Sequence, residues 1–285
     1  MTYVIHGATG AQGTPVASAL TAAGKPVVGL TRNPDAAVPG ARVAAIDYSS
    51  AADLTELYRD AAGVFVHLPV TTEEARRAYA RNIVAAVRAA QPARVVFSTS
   101  GYALGSGDDD DPARGAVVTL FRGLADSGVS YAAIAPELFL ENLLMPDLIA
   151  AVREQGVLRY PLPADFRVSW ASHLDIADVA VALFEQPEVS GVVSVGQYPA
   201  ITGPDLAEAF GTRLGRDVAY EALDPTAFRA FLIPMIGEGP AADIADSYRA
   251  MAALPDRSIA PERSAQKLLG VTPRTPGQWL ADIGL

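Results

Sequence analysis

Cysteine is absent from the 285 residues of the chain, which excludes disulfides, a thiolate nucleophile, a cysteine-bound zinc and a redox-sensing thiol. Lysine is almost absent too, occurring only as Lys25 and Lys267. Positive charge is scarce overall, 22 basic residues against 32 acidic for a net charge of −10. A nucleic-acid partner needs a basic face that displaces counterions, so none is expected. No basic segment and long apolar run precede the first strand pattern, and no signal peptide is expected. The most apolar later stretch, Val129 to Val152, is interrupted by Pro136, Glu137, Glu141, Asn142, Pro146 and Asp147. Such a stretch cannot span a bilayer, and a cytoplasmic protein without a membrane partner is expected. The acidic run Asp108 to Asp111 reads as a solvated loop, because a metal site needs ligands converging from elsewhere. No metal is expected, no repeat or low-complexity linker is visible, and the oligomeric state is not legible.

What is present begins at the N-terminus. Thr2 to His6 read as a strand, followed by Gly7-Ala8-Thr9-Gly10-Ala11-Gln12-Gly13 and a helix of small apolar residues, Val16, Ala17, Leu20 and Ala23. Glycines let the backbone turn tightly and approach a pyrophosphate, while free N–H groups at the helix start supply donors and a partial positive charge. The spacing is G-x-x-G-x-x-G, and a glycine pattern alone is weak. A second apolar strand, Pro26 to Leu30, completes a βαβ unit and makes this a dinucleotide site. At the end of that strand an acid suits the ribose 2′-hydroxyl of NAD and a basic residue suits the 2′-phosphate of NADP. Arg32 stands there beside the Thr31 hydroxyl, favouring NADP(H), with Asp35 expected to face water.

The pattern continues as Val43 to Ile46 (strand), Ala51 to Arg59 (helix), Gly63 to Leu68 (strand), Thr71 to Ala90 (helix) and Arg94 to Ser98 (strand). Thr71 and Glu74 match a capping box. This alternation predicts an α/β fold, a Rossmann-type doubly wound parallel sheet whose ligands lie at the carboxyl ends of the strands. With half its residues apolar, the chain can bury one large core or two modest ones. Residues 1–153, with a return segment near 174–196, are expected to form the nucleotide domain. Residues 154–285 are expected to form a smaller substrate lobe, where elements shorten and proline and aromatics increase.

The run Gly7-Ala8-Thr9-Gly10-x-x-Gly13 resembles the atypical and extended short-chain dehydrogenases/reductases, and the chain is similar to their NmrA-like branch, which includes NADPH-dependent quinone oxidoreductases. The resemblance is tightest before Asn142 and loose after about Pro199. It implies that Arg32 and its Arg-Asn-Pro stretch hold the 2′-phosphate, that Asp47 and Tyr48 lie by the adenine, and that His67, Leu68 and Pro69 line the far side of the cofactor. Taken alone, Asp47 also reads as a solvated turn acid, and His67 as a packed strand-end histidine rather than a catalyst. The resemblance also places Ser98, Thr99 and Ser100 by the nicotinamide, where a hydroxyl can bond the carbonyl that receives hydride. Ser100 and Tyr102 are the first catalytic candidates, with a plain serine-glycine loop as the alternative.

The relatives pair a Tyr with a Lys four residues later, but no Tyr-x-x-x-Lys occurs here. Where NmrA-like enzymes often carry a Lys, in the helix after the Ser/Thr loop, this chain offers Arg122, which keeps the charge but is a poor general acid. The intervening loop, Gly105 to Asp111, is polar enough to act as a lid. By resemblance Asn142 floors the substrate pocket, with Phe139, Leu143 and Met145 as an apolar wall or as core. The strand Arg167 to Ser172 carries Trp170, and the helix after it begins at His173; both are substrate-side candidates, with a lone surface histidine as the alternative for His173. The expected activity is hydride transfer from NADPH to a quinone or aromatic carbonyl. The alternatives are a cofactor-binding redox sensor without turnover and a cofactor-retaining isomerase or cyclase.

Overall fold

A computed structural model describes residues 1–102, 104 and 115–285. The expected lid, Gly105 to Asp111, lies outside the described residues. Along the chain run β1 (Thr2–Ile5), α1 (Gly13–Ala22), β2 (Val27–Thr31), β3 (Arg42–Ala45), α2 (Ala51–Tyr58), β4 (Ala61–His67), α3 (Glu73–Ala90) and β5 (Arg94–Ser98). After them come α4 (Gly115–Ala125), β6 (Ser130–Pro136), β7 (Leu138–Phe139), α5 (Pro146–Gln155), β8 (Val157–Tyr160), β9 (Trp170–Ala171), α6 (His173–Glu185) and β10 (Gly191–Val195). The last are α7 (Gly203–Leu214), β11 (Ala219–Ala222), α8 (Pro225–Ile236), α9 (Glu238–Ala252), α10 (Ala265–Leu269) and α11 (Pro276–Asp282).

Two compact units emerge: Met1–Pro136 with His173–Val195 and Pro261–Val271, and Glu137–Ser172 with Gly196–Ala260 and Thr272–Leu285. Residues 137–153, expected with the nucleotide domain, cluster with the second unit because α5 packs on β8. In the first unit seven parallel strands are ordered β10-β6-β5-β4-β1-β2-β3. Every residue of β2 and β5 is buried, as expected where helices cover both faces of a parallel sheet. One face carries α2, α3 and α4. On the other, α1 packs on α6, and Phe184 of α6 meets Tyr3 edge-on at 5.1 Å. The chain steps outward from β1 to β3 and then returns to β4 on the far side of β1. That reversal is the topological switch point of a Rossmann-type sheet, and it opens a crevice at the carboxyl ends of β1 and β4.

The α3 start differs from the expected capping box. Thr72, not Thr71, is the cap and accepts from Ala75 N, leaving Glu73 and Glu74 in the first turn, where the helix dipole favours acids. In the second unit the expected strand Arg167 to Ser172 shrinks to Trp170–Ala171, because its partner β7 is only two residues long and Val168 bridges to Ile201 and Arg257 instead. Strand β8 pairs with β11; neither was expected from the sequence. The unit's core is aromatic, with Tyr160, Phe210, Phe228, Trp170 and Trp279 sealed inside.

Candidate functional site

The turn after β1 is shaped by its glycines. Gly7 has φ +56°, and a Cβ there would run into the His67 ring; a Cβ on Gly13 would collide with the Gly7 carbonyl. The loop closes through Gly10 N to Gly7 O at 2.7 Å, Thr14 N to Gly10 O at 3.0 Å and Thr14 Oγ1 to Ala8 O at 3.0 Å. Ala8 N donates to Leu30 O, tying it to β2. Thr9 and Ala11 stand exposed at its rim. Gln12, the N-cap of α1, offers no side-chain bond to the helix start; Thr14 N is taken by Gly10 O and Pro15 has no N–H, so the Gly13 N–H is the first-turn donor left for an anion.

Thr31, buried at the end of β2, lies 3.3 Å from Thr9 Oγ1 and accepts from Asn33 N, while Arg32 projects into solvent. Asn33 Oδ1 accepts from Asp35 N, and Asp35 is exposed as expected. Asp47 is an exposed turn acid whose carboxylate is held by Ser49 Oγ and N, which lowers its pKa. Tyr48 is not at the rim. It is buried beneath the loop, its ring 5.2 Å from that of His6 and 5.5 Å from that of Tyr79. Burial pushes its hydroxyl up to about 12, opposed by a backbone hydrogen bond with Gly7 and by the charge of Arg32. Tyr48 therefore supports the loop from inside.

The three histidines of the chain meet here. His6 shares a 2.6 Å hydrogen bond between Nε2 and the Tyr58 hydroxyl; burial, with the neighbouring His67, lowers its pKa to about 3. Burial also lowers His67, partly offset by a hydrogen bond to the Leu68 backbone. Its Nε2 is buried with no partner among the described residues. His173, at the first turn of α6, is half-buried, and burial and the neighbouring His67 lower its pKa to about 4. Leu68 is buried and Pro69 half-buried at the end of β4.

At the end of β5, Thr99 O accepts from Tyr102 N at 3.2 Å, and Ser100 and Gly101 have φ +56° and +88°. Two consecutive positive φ values under such a bond make a type I′ turn, and the left-handed conformation of Ser100 costs roughly 1 kcal/mol. Ser98 Oγ accepts from Ser100 N, and Ser100 Oγ accepts from Gln12 Nε2 at 3.0 Å, joining this turn to the glycine loop. Thr99 Oγ1 and Gln12 Oε1 are buried without partners among the described residues. Arg122 does not join the group. It lies exposed in the last turn of α4, and a helix following a parallel strand runs back toward the opposite sheet edge. The arginine beside Tyr102 is Arg76 of α3, which donates to its hydroxyl at 3.0 Å with the guanidinium 4.6 Å from the ring centroid. The missed signal was a charge on the helix stripe Arg76, Ala80, Ile83, Val87.

Three substrate-side candidates lie in the second unit. Phe139 pairs with Ala171 in the β7–β9 ladder. Asn142 Nδ2 donates to the Tyr160 hydroxyl at 3.4 Å, which also bonds the Tyr248 hydroxyl. Trp170, only 2% exposed and edge-on to Tyr160, is a core residue rather than a pocket wall; its strand turns it into the aromatic cluster.

Three solved structures resemble this one over nearly their whole length. The NADPH-dependent quinone oxidoreductase of Escherichia coli, complexed with NADPH, is 23% identical with a TM-score of 0.76 and 99% of each chain covered. The triphenylmethane reductase of a Citrobacter species, complexed with NADP(H), is 19% identical with a TM-score of 0.80 and 100% of each chain covered. A nucleoside-diphosphate-sugar epimerase from Staphylococcus aureus is 21% identical with a TM-score of 0.77, covering 98% of this chain and 99% of that one. At such identities the likeness is one of fold. No curated protein matches in sequence. The model of the NmrA-like family, however, matches residues 1–269, and the chain belongs to that family.

Proposed function

We propose that this protein is an NADP(H)-dependent oxidoreductase that passes hydride to a flat aromatic carbonyl compound, a quinone or aromatic ketone. The observation that carries the reading is the Gln12–Ser100 hydrogen bond, which joins the anion-binding turn of β1 to the hydroxyl-bearing turn of β5. The residues fit the cofactor. The start of α1 carries no side-chain cap, and Gln12 Oε1, Thr99 Oγ1 and His67 Nε2 are buried polar atoms with no partner among the described residues. The glycine turn and the Gly13 N–H at the start of α1 would receive the diphosphate, Arg32 and Thr31 the 2′-phosphate, and the hydroxyls of Thr99 and Ser100 the nicotinamide end. When bound, NADPH supplies hydride. Ser100 would orient the acceptor carbonyl by hydrogen bonding to its oxygen, and the second unit, rich in apolar and aromatic side chains, is assigned to acceptor recognition. The NADPH and NADP(H) complexes of the quinone oxidoreductase and the triphenylmethane reductase support this choice of cofactor.

A redox sensor without turnover is the second reading. Lys25 pairs with Glu185 and Lys267 lies in α10, so the described contacts place neither lysine on the Ser98–Tyr102 turn. Fluorescence titration with NADPH and NADH, followed by NADPH oxidation over a panel of quinones and aromatic ketones, separates the two. Tight NADPH binding with turnover is expected. Binding without turnover on any acceptor would favour the sensor, and stronger binding of NADH than of NADPH would overturn the cofactor assignment.

A further inference from the structure

The reduction proposed above needs a proton for the acceptor oxygen, and the β5 turn holds a group arranged to give one. We infer that Tyr102 is the proton donor and that Arg76 is its positioning residue; the inference rests on the reductase reading.

A guanidinium has donors and no acceptor, so in the 3.0 Å contact Arg76 Nη1 must donate and Tyr102 Oη must accept. The phenolic proton is thereby directed away from Arg76. Tyr102 is 46% exposed, so that proton has an open side on which to meet a ligand, two residues beyond the Ser100 hydroxyl that touches the glycine loop. Arg76 is itself only 7% exposed. Its guanidinium is fixed by Glu73 Oε2 at 2.7 Å, while Glu73 Oε1 accepts from Ala116 N at the start of α4, also at 2.7 Å. Burying a guanidinium merely to tie α3, α4 and the turn together is a poor use of the position, because an ion pair taken out of water gains little over apolar packing. The rest of the inward stripe of α3 is apolar: Ala80, Ile83, Val84 and Val87. A fixed cation against an oxygen that becomes negative when it gives up its proton does have a use, since preorganised charge acts without reorganisation at the moment of reaction.

In the reaction, Tyr102 would give its hydroxyl proton to the carbonyl oxygen as that oxygen takes up the C=O electron pair, the hydride that bonds to the carbon being what NADPH would supply. The Tyr102 phenolate, held against Arg76, would then recover a proton from water.

The test compares Tyr102→Phe, Arg76→Gln and Arg76→Lys with the wild type. Turnover of an aromatic ketone is measured together with NADPH affinity, the melting temperature and the binding of 4-nitrophenolate, a coloured oxyanion, to the NADP⁺ complex. Loss of a general acid predicts a fall in kcat of about 100-fold in Tyr102→Phe with KM for NADPH unchanged. Arg76→Gln should lose about tenfold or more, and Arg76→Lys should regain most of that because it keeps the charge though not the planar fork. 4-Nitrophenolate should bind about tenfold more weakly to Tyr102→Phe and to Arg76→Gln, the cost of one hydrogen bond to a charged group. Unchanged kcat and nitrophenolate binding in Tyr102→Phe overturns the inference while wild-type turnover leaves the reductase reading standing. Equal losses in Arg76→Gln and Arg76→Lys, with a lower melting temperature and weaker NADPH binding, make Arg76 a structural clamp and overturn its part. A wild type that binds NADPH but reduces no acceptor overturns both readings.

Discussion

Acid should destabilise this protein from a pH at which its carboxylates are still ionised, and His6 supplies a measurable share of the effect. His6 is fully buried and bonded to the Tyr58 hydroxyl, and its pKa falls from 6.5 to about 3 on folding. Between those two values the unfolded chain binds a proton that the folded chain refuses, so stability is complete above pH 6.5 and declines as the pH drops toward 3. Each pH unit in that window costs about 1.4 kcal/mol, so His6 alone removes about 2 kcal/mol by pH 5. His173, lowered to about 4, steepens the decline in the same direction. Urea unfolding at about pH 7.5, 6 and 5, through the titration range of an unperturbed histidine, checks this against His6→Gln, which removes the titration and can keep a hydrogen bond to Tyr58. Against domain stabilities of about 5–15 kcal/mol, the difference is easily resolved. The variant should lose about 2 kcal/mol less than the wild type between pH 7.5 and 5. Parallel pH profiles for the two proteins would refute the reasoning, since they would mean that His6 is protonated as readily folded as unfolded.

Gly7→Ala should cost about 2–4 kcal/mol, from the left-handed φ of +56° and from a methyl driven into the His67 ring. Adding His67→Ala should recover part of that loss in thermal melts, and strict additivity would show that the two residues do not clash. Arg32→Ala should weaken NADPH binding about 10- to 100-fold, the range for a hydrogen bond to a charged group, and leave NADH binding unchanged; equal loss for both coenzymes would remove Arg32 from the 2′-phosphate. Trp170→Ala should cost about 3–5 kcal/mol by cavity formation, as measured by urea unfolding, whereas a near-neutral effect would return Trp170 to an exposed wall.

The elements legible in the sequence were those whose reasons are local. Glycines at 7, 10 and 13 beside an apolar strand announce the turn because tight curvature and an open helix start are short-range properties. Continuous apolar runs such as Val27 to Leu30 announce strands buried on both faces. What depends on apposition was not legible. Arg122 was placed near the Ser/Thr turn by the resemblance, as the residue where NmrA-like enzymes often carry a Lys, but it lies exposed in the last turn of α4. Arg76, earlier in the chain, is the arginine that arrives. Tyr48 was placed beside the adenine by the resemblance, and nothing local reveals that it is buried beneath the Gly7 turn. Strands β8 and β11 were missed because each is four residues long, too short for a period to show. The return of Pro261–Val271 to the first unit has no compositional mark at all.

That return, and the earlier one at His173–Val195, bear on synthesis. When the ribosome has delivered residue 136, the first six strands exist, but β6 still lacks β10, whose register runs from Gly191 opposite Ala132 to Val195 opposite Pro136. Helix α1 likewise lacks α6 across its apolar side. A nascent chain paused there presents an unpaired strand and a bare greasy surface, both of which invite association with other chains. A fragment cut after Pro136 lacks β10, α6 and Pro261–Val271 of its unit, whose completion waits on translation of the segment that follows the other unit's first thirty-six residues, Glu137–Ser172.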